Sequence, residues 1–332
     1  MIRSNGQLFV LNNLKIVRNT SEERSKKRII LRAAAVNLLV MVYYFGYSGP
    51  GFTQEFSPEV IDFLPPYINI RSDLFIAPKY NILSCGIRKS MSQLLINIMC
   101  LLHNETEFMK RNRSLNDTWM SERVCSHTDS HFHIPRENVQ NFRNLTKFAL
   151  IRDPFDRFIS FYLHICQNEN GCWDCVDDMR CVVRKVYGGL RRYEGNPDEE
   201  MSTLVDRHAA PTSWNCNFQE HLSDYHLIKI GADAEQRKSA ITELSELLRK
   251  HNVPANLINR ISNESIKGET FHGTHKSSGR VKAERQVMED PVVREYLHKI
   301  YFFDYLIFKF DRSHLDENYK KLLDFWENKV EA

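Results

Sequence analysis

The sequence is organised around the stretch Phe148-Ala-Leu-Ile-Arg-Asp-Pro-Phe-Asp-Arg-Phe-Ile-Ser-Phe-Tyr162. Its first four residues are apolar and predict a short buried strand that stops at Arg152. Asp153 is typical of a helix N-cap and Pro154 of a first helical turn, so a helix is expected to begin there. Helix starts attract anions through free N–H groups and the helix dipole. The stretch predicts an anion site built from Arg152 and Ser160; the alternative is a buried junction in which Arg152 pairs with a nearby aspartate.

Length and charge limit the possible partners. The chain has 332 residues, of which 42% are hydrophobic and 26% charged, as expected for a globular protein with a large core. Residues 1–32 hold eight Lys or Arg against two Glu, so the net charge of +3 comes from this tail. The other 300 residues hold 37 basic and 40 acidic side chains. A polyanion must therefore meet a local basic patch, and nucleic acid is not expected as a partner.

A short apolar run at 29–47 follows the basic tail, interrupted by Arg32 and Asn37. A full membrane span needs about 20 apolar residues, but Arg32 can reach the interface and three tyrosines suit the other end. Basic residues before the run predict a cytosolic tail at 1–28, a transmembrane signal anchor at 29–47 and a luminal remainder. A cleaved signal peptide and a buried helix are the alternatives. The long basic segment and the lack of a small-x-small site argue against cleavage.

Two further features agree with a luminal location. Beyond the run lie five Asn-x-Ser/Thr sequons, at Asn104, Asn112, Asn116, Asn144 and Asn263. All eight cysteines also lie beyond it, and four of them have the spacing Cys-x5-Cys-x2-Cys-x5-Cys over 166–181. In an oxidising compartment this cluster predicts disulfides with three possible pairings, and a zinc site is the alternative.

The folded domain is expected at 72–332, because the proline-containing segment 48–71 predicts a stem without regular structure. Apolar runs at 74–77 and 80–83 predict two strands, and apolar residues at helical spacing follow from Met91.

A second strand, loop and helix lies at Ser84-Cys-Gly-Ile-Arg-Lys-Ser90, with Arg88 and Lys89 at the turn. The loop has the layout of a phosphate loop but lacks the Gly-x4-Gly-Lys-Ser/Thr motif. Together with the Arg152 stretch, it predicts a ligand with anionic groups at both ends.

The remaining segments carry candidate bases and donors. Residues 104–144 are polar and are expected to form an insertion over the site. The three histidines in 127–133 are interpreted by default as part of a solvated loop. The alternatives are a general base and a metal cluster. His208 precedes a predicted strand at 225–230, and the donor-rich segment 271–280 ends at a predicted helix start.

With these elements in view, residues 72–312 resemble the membrane-anchored Golgi carbohydrate sulfotransferases, in the branch of the chondroitin, dermatan and HNK-1 enzymes. The stretch Ile151–Tyr162 resembles the family's 3′-phosphate motif. Ala77-Pro-Lys79 with Cys85-Gly-Ile-Arg-Lys89 resembles its 5′-phosphosulfate motif, although the gap between Lys79 and Lys89 is longer than in vertebrate-type members. Further similar blocks are His208–Cys216, Tyr225–Gly231, His275–Arg280 and Ile300–Tyr305. The cysteine cluster is most similar to nematode members.

The resemblance implies an α/β, P-loop-like three-layer fold with a central parallel sheet, preceded by a single N-terminal membrane anchor. It implies a type II protein of the Golgi membrane with a luminal catalytic domain. The implied donor is 3′-phosphoadenosine 5′-phosphosulfate (PAPS), with no metal. The implied acceptor is a chondroitin-type glycosaminoglycan or a glycoprotein glycan.

The resemblance also implies roles for individual residues. Lys89, helped by Arg88, is expected to neutralise charge on the leaving 5′-phosphate. Arg152 and Ser160 are expected to hold the 3′-phosphate. The other cofactor-binding candidates are Lys79, Ser90, Lys276 and Arg280.

An acceptor hydroxyl needs a base. His208 is the first candidate, because its block resembles the family's His-x-x-Pro segment. His133 is the second, because a histidine about twenty residues before Arg-Asp-Pro resembles the uronyl 2-O-sulfotransferases. A carboxylate base is the alternative to both. Two other functions remain open at this point: a secretory-pathway kinase or other nucleotide-dependent phosphotransferase, and a catalytically inactive luminal glycan-binding protein of the same fold.

Overall fold

A computed structural model describes residues 62–117, 125, 133–134, 144–175, 177–231, 233–267 and 279–331. The predicted tail at 1–28, the predicted anchor at 29–47 and Lys276 lie outside the described residues. Within the described ranges, no helix is both long and apolar enough to cross a membrane.

The central layer is a mixed sheet of five strands in the order β3-β1-β2-β4-β5. The strands are β1 (Asp73–Ala77), β2 (Ile82–Gly86), β3 (His133–Ile134), β4 (Thr146–Arg152) and β5 (Tyr225–Ile230). Strands β2, β4 and β5 are parallel neighbours, whereas β1 is antiparallel to both β2 and β3. The predicted parallel sheet is confirmed for these three strands and wrong for β1 and β3. The connection at 78–81 is too short for the crossover that parallel neighbours require.

The helices of the described part cover both faces of the sheet. They are α1 (Ser92–His103), α2 (Glu105–Lys110), α3 (Pro154–Phe161), α4 (Met179–Gly195), α5 (Leu204–Ala209), α6 (Phe218–His221), α7 (Ala234–Lys250), α8 (Ala255–Lys267), α9 (Arg280–Glu289), α10 (Pro291–Phe308) and α11 (Glu317–Glu331). A π-helix, Tyr162–Asn168, continues α3 without a break.

Alternate residues of β4 enter two separate cores. Phe148 and Leu150 pack with α1, α7 and α8 on one face of the sheet. Ala149 and Ile151 pack with α3, α4 and α10 on the other. A strand buried on both faces is expected of a parallel strand between two helical layers. The predicted three-layer α/β architecture is therefore confirmed.

Packed structure begins before residue 72. The ring of Phe63 stacks on Phe302 with centroids 4.4 Å apart. The Leu64 N–H donates to the Lys299 carbonyl at 2.8 Å, and the Pro65 carbonyl accepts from Trp214 Nε1 at 2.7 Å. Residues 62–71 thus pack against the domain core, although they form no α-helix or strand.

The eight cysteines form four disulfides, Cys85–Cys216, Cys100–Cys125, Cys166–Cys172 and Cys175–Cys181. The zinc interpretation of the 166–181 cluster is wrong, because each of its sulfurs is bonded to another. Within that cluster the structure selects the sequential pairing, which closes two small loops behind α3. The Cys85–Cys216 bond joins the end of β2 to the segment that follows His208.

Candidate active site

The carboxyl ends of β2 and β4 border one crevice. The two strands are parallel neighbours, but α1 packs on one face of the sheet and α3 on the other. Connections that leave adjacent strands toward opposite faces open a crevice between them, and ligands of open α/β sheets bind there. The loop that carries Lys89 and the end of β4 at Arg152 both lie at this edge.

Arg152 and Ser160 are joined directly. Arg152 Nη1 donates to Ser160 Oγ at 2.7 Å and to the Lys89 carbonyl at 3.4 Å. Asp153 caps α3, with its Oδ1 accepting from the N–H groups of residues 155 and 156 at 2.9 and 3.1 Å. Pro154 opens the helix as the sequence predicts. One short segment therefore holds the guanidinium and the hydroxyl side by side at a helix start.

The Lys89 loop has a less common backbone. Lys89 and Met91 have φ values of 64° and 57°, in the left-handed region that non-glycine residues rarely occupy. Between them Ser90 is buried, and its N–H donates to the Ile87 carbonyl at 3.2 Å. Such conformations persist only where surrounding structure fixes them, and they concentrate at functional sites.

Arg280 joins the site from α9. Its Nη2 donates to Asp156 Oδ1 at 2.9 Å, and its Nε lies 2.6 Å from Glu284. Asp156 also lies 3.9 Å from Arg152 Nε. The Asp156 carboxylate thus lies between the two arginines. The alternative in which Arg152 pairs with a nearby aspartate is therefore correct in part.

The group leaves buried donors unsatisfied. Ser90 Oγ, Arg152 Nε and Arg280 Nη1 are buried without a hydrogen-bond partner in the part of the chain that the structure describes. Buried polar groups are nearly always hydrogen-bonded. Because all three can donate, a bound anion would satisfy them. The residues present therefore fit an anionic ligand.

Lys89 contacts two residues that sequence reasoning missed. Its Nζ lies 2.5 Å from His164 Nδ1, and His164 Nε2 lies 3.2 Å from Glu169 Oε1. Burial lowers the pKa of Lys89 to about 7; Glu169 partly offsets this effect, and Arg88 adds to it. The lysine therefore changes charge close to neutral pH. The only signal in the sequence was the position of His164 four residues, about one helical turn, past Ser160.

His208 lies on α5, and electrostatics couple it to Lys89, Arg88 and His164. Its Nδ1 lies 2.7 Å from the Leu204 carbonyl. Since a carbonyl only accepts, Nδ1 carries the proton and Nε2 keeps a lone pair. Burial and the two cations lower the pKa of His208 well below its ordinary value, so the ring is neutral at neutral pH. This is the state that a general base requires.

Buried polar contacts fix the segment after His208. The Arg157 guanidinium donates to the Ala210 carbonyl and, at 3.4 Å, to the His208 carbonyl. Tyr301 Oη donates to the Ala209 carbonyl at 2.8 Å. Helices α3 and α10 together therefore set the position of the candidate base.

Two candidate residues, Lys79 and His133, are not brought into this group. Lys79 follows β1, and because β1 is antiparallel to β2 it lies at the opposite edge of the sheet, 4.0 Å from Glu105. His133 lies in the edge strand β3, paired with Phe75, so β1 and β2 separate it from β4. Lys276 lies outside the described residues. Arg88 is near the crevice but pairs with Asp73 at 2.6 Å.

Three arginines, Arg71, Arg88 and Arg207, form an arginine cluster beside His208. Burial lowers the pKa of Arg207, and Arg88 and Arg71 lower it further, so the three charges repel one another. Arg88 pairs with Asp73, and Arg71 lies 3.5 Å from a glutamate. The Arg207 side chain, although attracted by Asp73 and Asp206, makes no hydrogen bond or ion pair with the residues that the structure describes. The cluster therefore favours an anionic group next to the candidate base.

A cavity of about 570 Å³ opens at the ends of β4 and β5. Phe155, Ile159, Val287 and Phe310 line it with apolar surface, and Asp156 connects it to the two arginines. Small-molecule sites are typically about 300–1,000 Å³ and mainly apolar. The cavity is therefore large enough for the nucleoside part of a ligand whose phosphate lies at Arg152.

Known proteins match the chain over this whole region. The sequence profile of the Sulfotransferase family matches residues 72–311. The carbohydrate sulfotransferase chst-1 of Caenorhabditis elegans is 34% identical over 266 residues, which cover 76% of this chain and 80% of that protein. A second, uncharacterized C. elegans protein is 27% identical over 270 residues, covering 78% and 75%. No solved structure matches.

Proposed function

The chain belongs to the Sulfotransferase family and is a sulfotransferase, and we propose that it transfers a sulfuryl group from PAPS to a hydroxyl of a carbohydrate. The observation that carries this proposal is the meeting of the Lys89 loop with Arg152 and Ser160 across one crevice. The two cationic ends match a donor with a phosphate at one end and a phosphosulfate at the other.

Arg152 and Ser160 hold the 3′-phosphate in this proposal, with Arg280 beside them. The unsatisfied Nε and Nη1 donors of the two arginines support this assignment. The neighbouring cavity takes the nucleoside, with Phe155 on its wall. A charge-assisted hydrogen bond of this kind contributes about 1.5–3 kcal/mol.

Lys89 and Ser90 serve the reacting end. PAPS supplies the sulfuryl group, and the S–O bond to its 5′-phosphate breaks as the S–O bond to the acceptor forms. Catalysis of such a loose in-line transfer depends on positioning and charge stabilisation. The Lys89 ammonium neutralises the negative charge that develops on the leaving phosphate oxygen. The buried Ser90 hydroxyl, which lacks a partner among the described residues, donates to the same group.

His208 Nε2 takes the proton of the acceptor hydroxyl. Its neutral ring, fixed by the Nδ1–H bond to Leu204, supports this role. After transfer the proton leaves to solvent and the sulfated acceptor dissociates. His133 is a less favoured base, because β1 and β2 separate its strand from β4. A carboxylate is also less favoured, because Glu169, the carboxylate that attracts Lys89, is paired with His164.

The acceptor is an acidic glycan in this proposal, most simply a chondroitin-type glycosaminoglycan. The arginine cluster next to His208 supports it, because uronate carboxylates are the anions that such a glycan presents at regular intervals. The name of chst-1 supports a carbohydrate acceptor in general. A glycoprotein glycan with acidic sugars has the same chemistry at this cluster.

We place the enzyme in the Golgi membrane as a type II protein anchored by residues 29–47. Four disulfides support an oxidising compartment. The family match argues against the phosphotransferase alternative. The joint presence of Lys89, Arg152 and Ser160 argues against an inactive binding protein.

The test is transfer from sulfur-labelled PAPS by the secreted luminal portion, from residue 48 onward, to a panel of desulfated glycosaminoglycans and neutral glycans. We expect transfer to desulfated chondroitin without added magnesium. Arg207→Ala should raise the KM for that acceptor about tenfold and leave a neutral acceptor unaffected. No transfer to any acceptor, together with no binding of adenosine 3′,5′-bisphosphate, would overturn the proposal.

A further inference from the structure

Lys89 lies against a histidine–carboxylate pair that the proposed reaction does not use. The three side chains form a line, with Lys89 Nζ 2.5 Å from His164 Nδ1 and His164 Nε2 3.2 Å from Glu169 Oε1. His164 is buried, and Glu169 is partly exposed. The line reaches Lys89 from the helical layer opposite to α1, the helix that follows its own loop.

The direction of these hydrogen bonds follows from the donors available. A glutamate accepts, so His164 Nε2 carries the proton and donates it to Glu169. The Nδ1 atom then keeps its lone pair, and the Lys89 ammonium donates to it. A carboxylate that fixes the tautomer and orientation of a histidine is a common way to hold that ring in place. The imidazole is therefore set as an acceptor for Lys89.

The π-helix makes this pair possible. The Glu169 N–H donates to the His164 carbonyl at 3.1 Å, a bond between residues five apart that is typical of a π-helix. In an α-helix, residues five apart lie about 140° apart around the axis. The wider turn places Glu169 on the same side as His164. Helix turns of this kind occur frequently at functional sites.

We propose that His164, oriented by Glu169, is a positioning residue that fixes the Lys89 ammonium in the crevice. The inference rests on the proposed function, in which Lys89 serves the leaving phosphate. A lysine ammonium has three N–H donors. One is held by His164, and the other two remain for the phosphosulfate. Holding a flexible side chain in advance removes the entropy cost of ordering it during the reaction.

The groups facing Lys89 explain why it needs this contact. Arg88 of its own loop repels it, Glu169 attracts it, and His208 of α5 is electrostatically coupled to it. The Arg152 guanidinium binds the Lys89 carbonyl and so fixes the backbone rather than the ammonium. Within the described residues, His164 is the acceptor placed to direct the charged end.

Three variants test the contact by activity. His164→Leu removes the acceptor and should lower kcat about ten- to a hundredfold with little change in the KM for PAPS. His164→Asn keeps an acceptor oxygen close to Nδ1 and should lose less than about threefold. Glu169→Ala frees the ring and should lie between the two. The matched control is His226→Leu, a histidine also paired with a glutamate, Glu243, at 2.8 Å but at the other edge of the sheet. Wild-type kcat in His164→Leu, or equal losses in the Leu and Asn variants, would overturn the proposal.

A second readout needs no acceptor and no turnover. The labelling rate of Lys89 by an amine-reactive reagent, followed by mass spectrometry over a pH range, reports the protonation of its amine in the donor-free enzyme. His164→Leu should shift this profile to lower pH, because the ammonium loses its acceptor, whereas His164→Asn and His226→Leu should not. An unshifted profile in His164→Leu would contradict the contact. Absence of sulfuryl transfer by the wild-type protein, with the expected labelling shifts, would overturn the proposed function alone.

Discussion

The two walls of the crevice are held in different ways. The β4 wall, formed by Arg152, Asp153 and Ser160, is local, since its principal hydrogen bond joins residues eight apart in sequence. The β2 wall, formed by the Lys89 loop with His164 and His208, depends on distant contacts. Lys89 and His164 are 75 residues apart, and the disulfide from β2 spans 131 residues.

The difference matches the work that each wall does in the proposed reaction. The β4 wall holds a phosphate that does not change, and a capped helix start with ordinary backbone angles suffices for that. The β2 wall meets the atoms whose charge changes, and its loop has two residues at positive φ. Strained geometry needs support from several elements, and here the end of β4, the π-helix and a disulfide provide it. Replacements in the β2 wall should therefore affect turnover, and replacements in the β4 wall should affect binding.

The largest effect is expected at the candidate base. His208→Ala should lower kcat about 10²- to 10⁴-fold at saturating PAPS, with little change in binding of adenosine 3′,5′-bisphosphate. Steady-state kinetics and calorimetric binding on the same preparation measure both. His226→Ala is the control. A rate unchanged by His208→Ala would remove this residue from the mechanism.

Lys89→Ala should lower kcat about 10²- to 10³-fold, because the leaving phosphate loses its cation. Thermal unfolding should show a folded protein, since the ammonium is desolvated in the native state and its removal relieves that cost. Kinetics at saturating donor and acceptor measure the loss. A loss confined to the KM for PAPS would assign Lys89 to ground-state binding and so break the distinction between the walls.

Arg152→Ala should weaken PAPS binding about ten- to a hundredfold and leave kcat within a few fold of wild type. Arg152→Lys keeps the positive charge but cannot form the bidentate hydrogen bonds of a guanidinium, so it should recover only part of the affinity for PAPS. Competition binding and kinetics separate the two quantities. A fall in kcat as large as that of Lys89→Ala would contradict a role limited to binding.

The pH dependence should follow Lys89. Burial lowers the pKa of Lys89 to about 7, so the free enzyme loses this ammonium as the pH rises through 7. We expect kcat/KM for PAPS to fall about tenfold per pH unit above that point. The fall in kcat should begin at higher pH, because a bound anion stabilises the ammonium. A kcat/KM profile that stays flat to pH 9 would contradict the assignment.

The smallest effect is expected at the helix cap. Asp153→Ala removes the acceptor for two N–H groups and should cost about 1 kcal/mol in the free energy of unfolding. Asp153→Asn retains a cap and should cost less. Denaturant unfolding measures both. Equal stability of the Ala variant and the wild-type protein would show that the β4 wall is held by more than its local contacts.

The sequence was most informative about the β4 wall. Phe148–Ile151 as a strand, Asp153 as a cap and Pro154 as a first turn are set by neighbouring residues, and all three are confirmed. The second strand–loop–helix was also recognised, because its apolar spacing and basic turn are local. The structure brings Arg152, Ser160, Lys89 and Ser90 to the crevice that these elements predicted.

The rest depended on contacts between distant segments. No pattern in the sequence pairs His164 with Lys89, since a π-helix and a loop on another strand create that contact. Strand β1 runs antiparallel to β2, which takes Lys79 to the opposite edge of the sheet. Apolar spacing alone does not show whether two successive strands are antiparallel or parallel. The order of the disulfides likewise followed from the fold, because spacing allowed three pairings.

The central claim is that the two walls bind the two ends of one nucleotide. The most direct measurement is calorimetric binding of adenosine 3′,5′-bisphosphate, adenosine 5′-monophosphate and adenosine 3′-monophosphate to wild type, Arg152→Ala and Lys89→Ala. We predict that Arg152→Ala weakens binding of the bisphosphate and the 3′-monophosphate about ten- to a hundredfold and leaves the 5′-monophosphate unchanged. Lys89→Ala should weaken the bisphosphate and the 5′-monophosphate, because their free 5′-phosphate carries the charge that the leaving group of PAPS gains only on transfer, and should leave the 3′-monophosphate unchanged. Equal weakening of both monophosphates by either variant, or no weakening by both, would contradict the account.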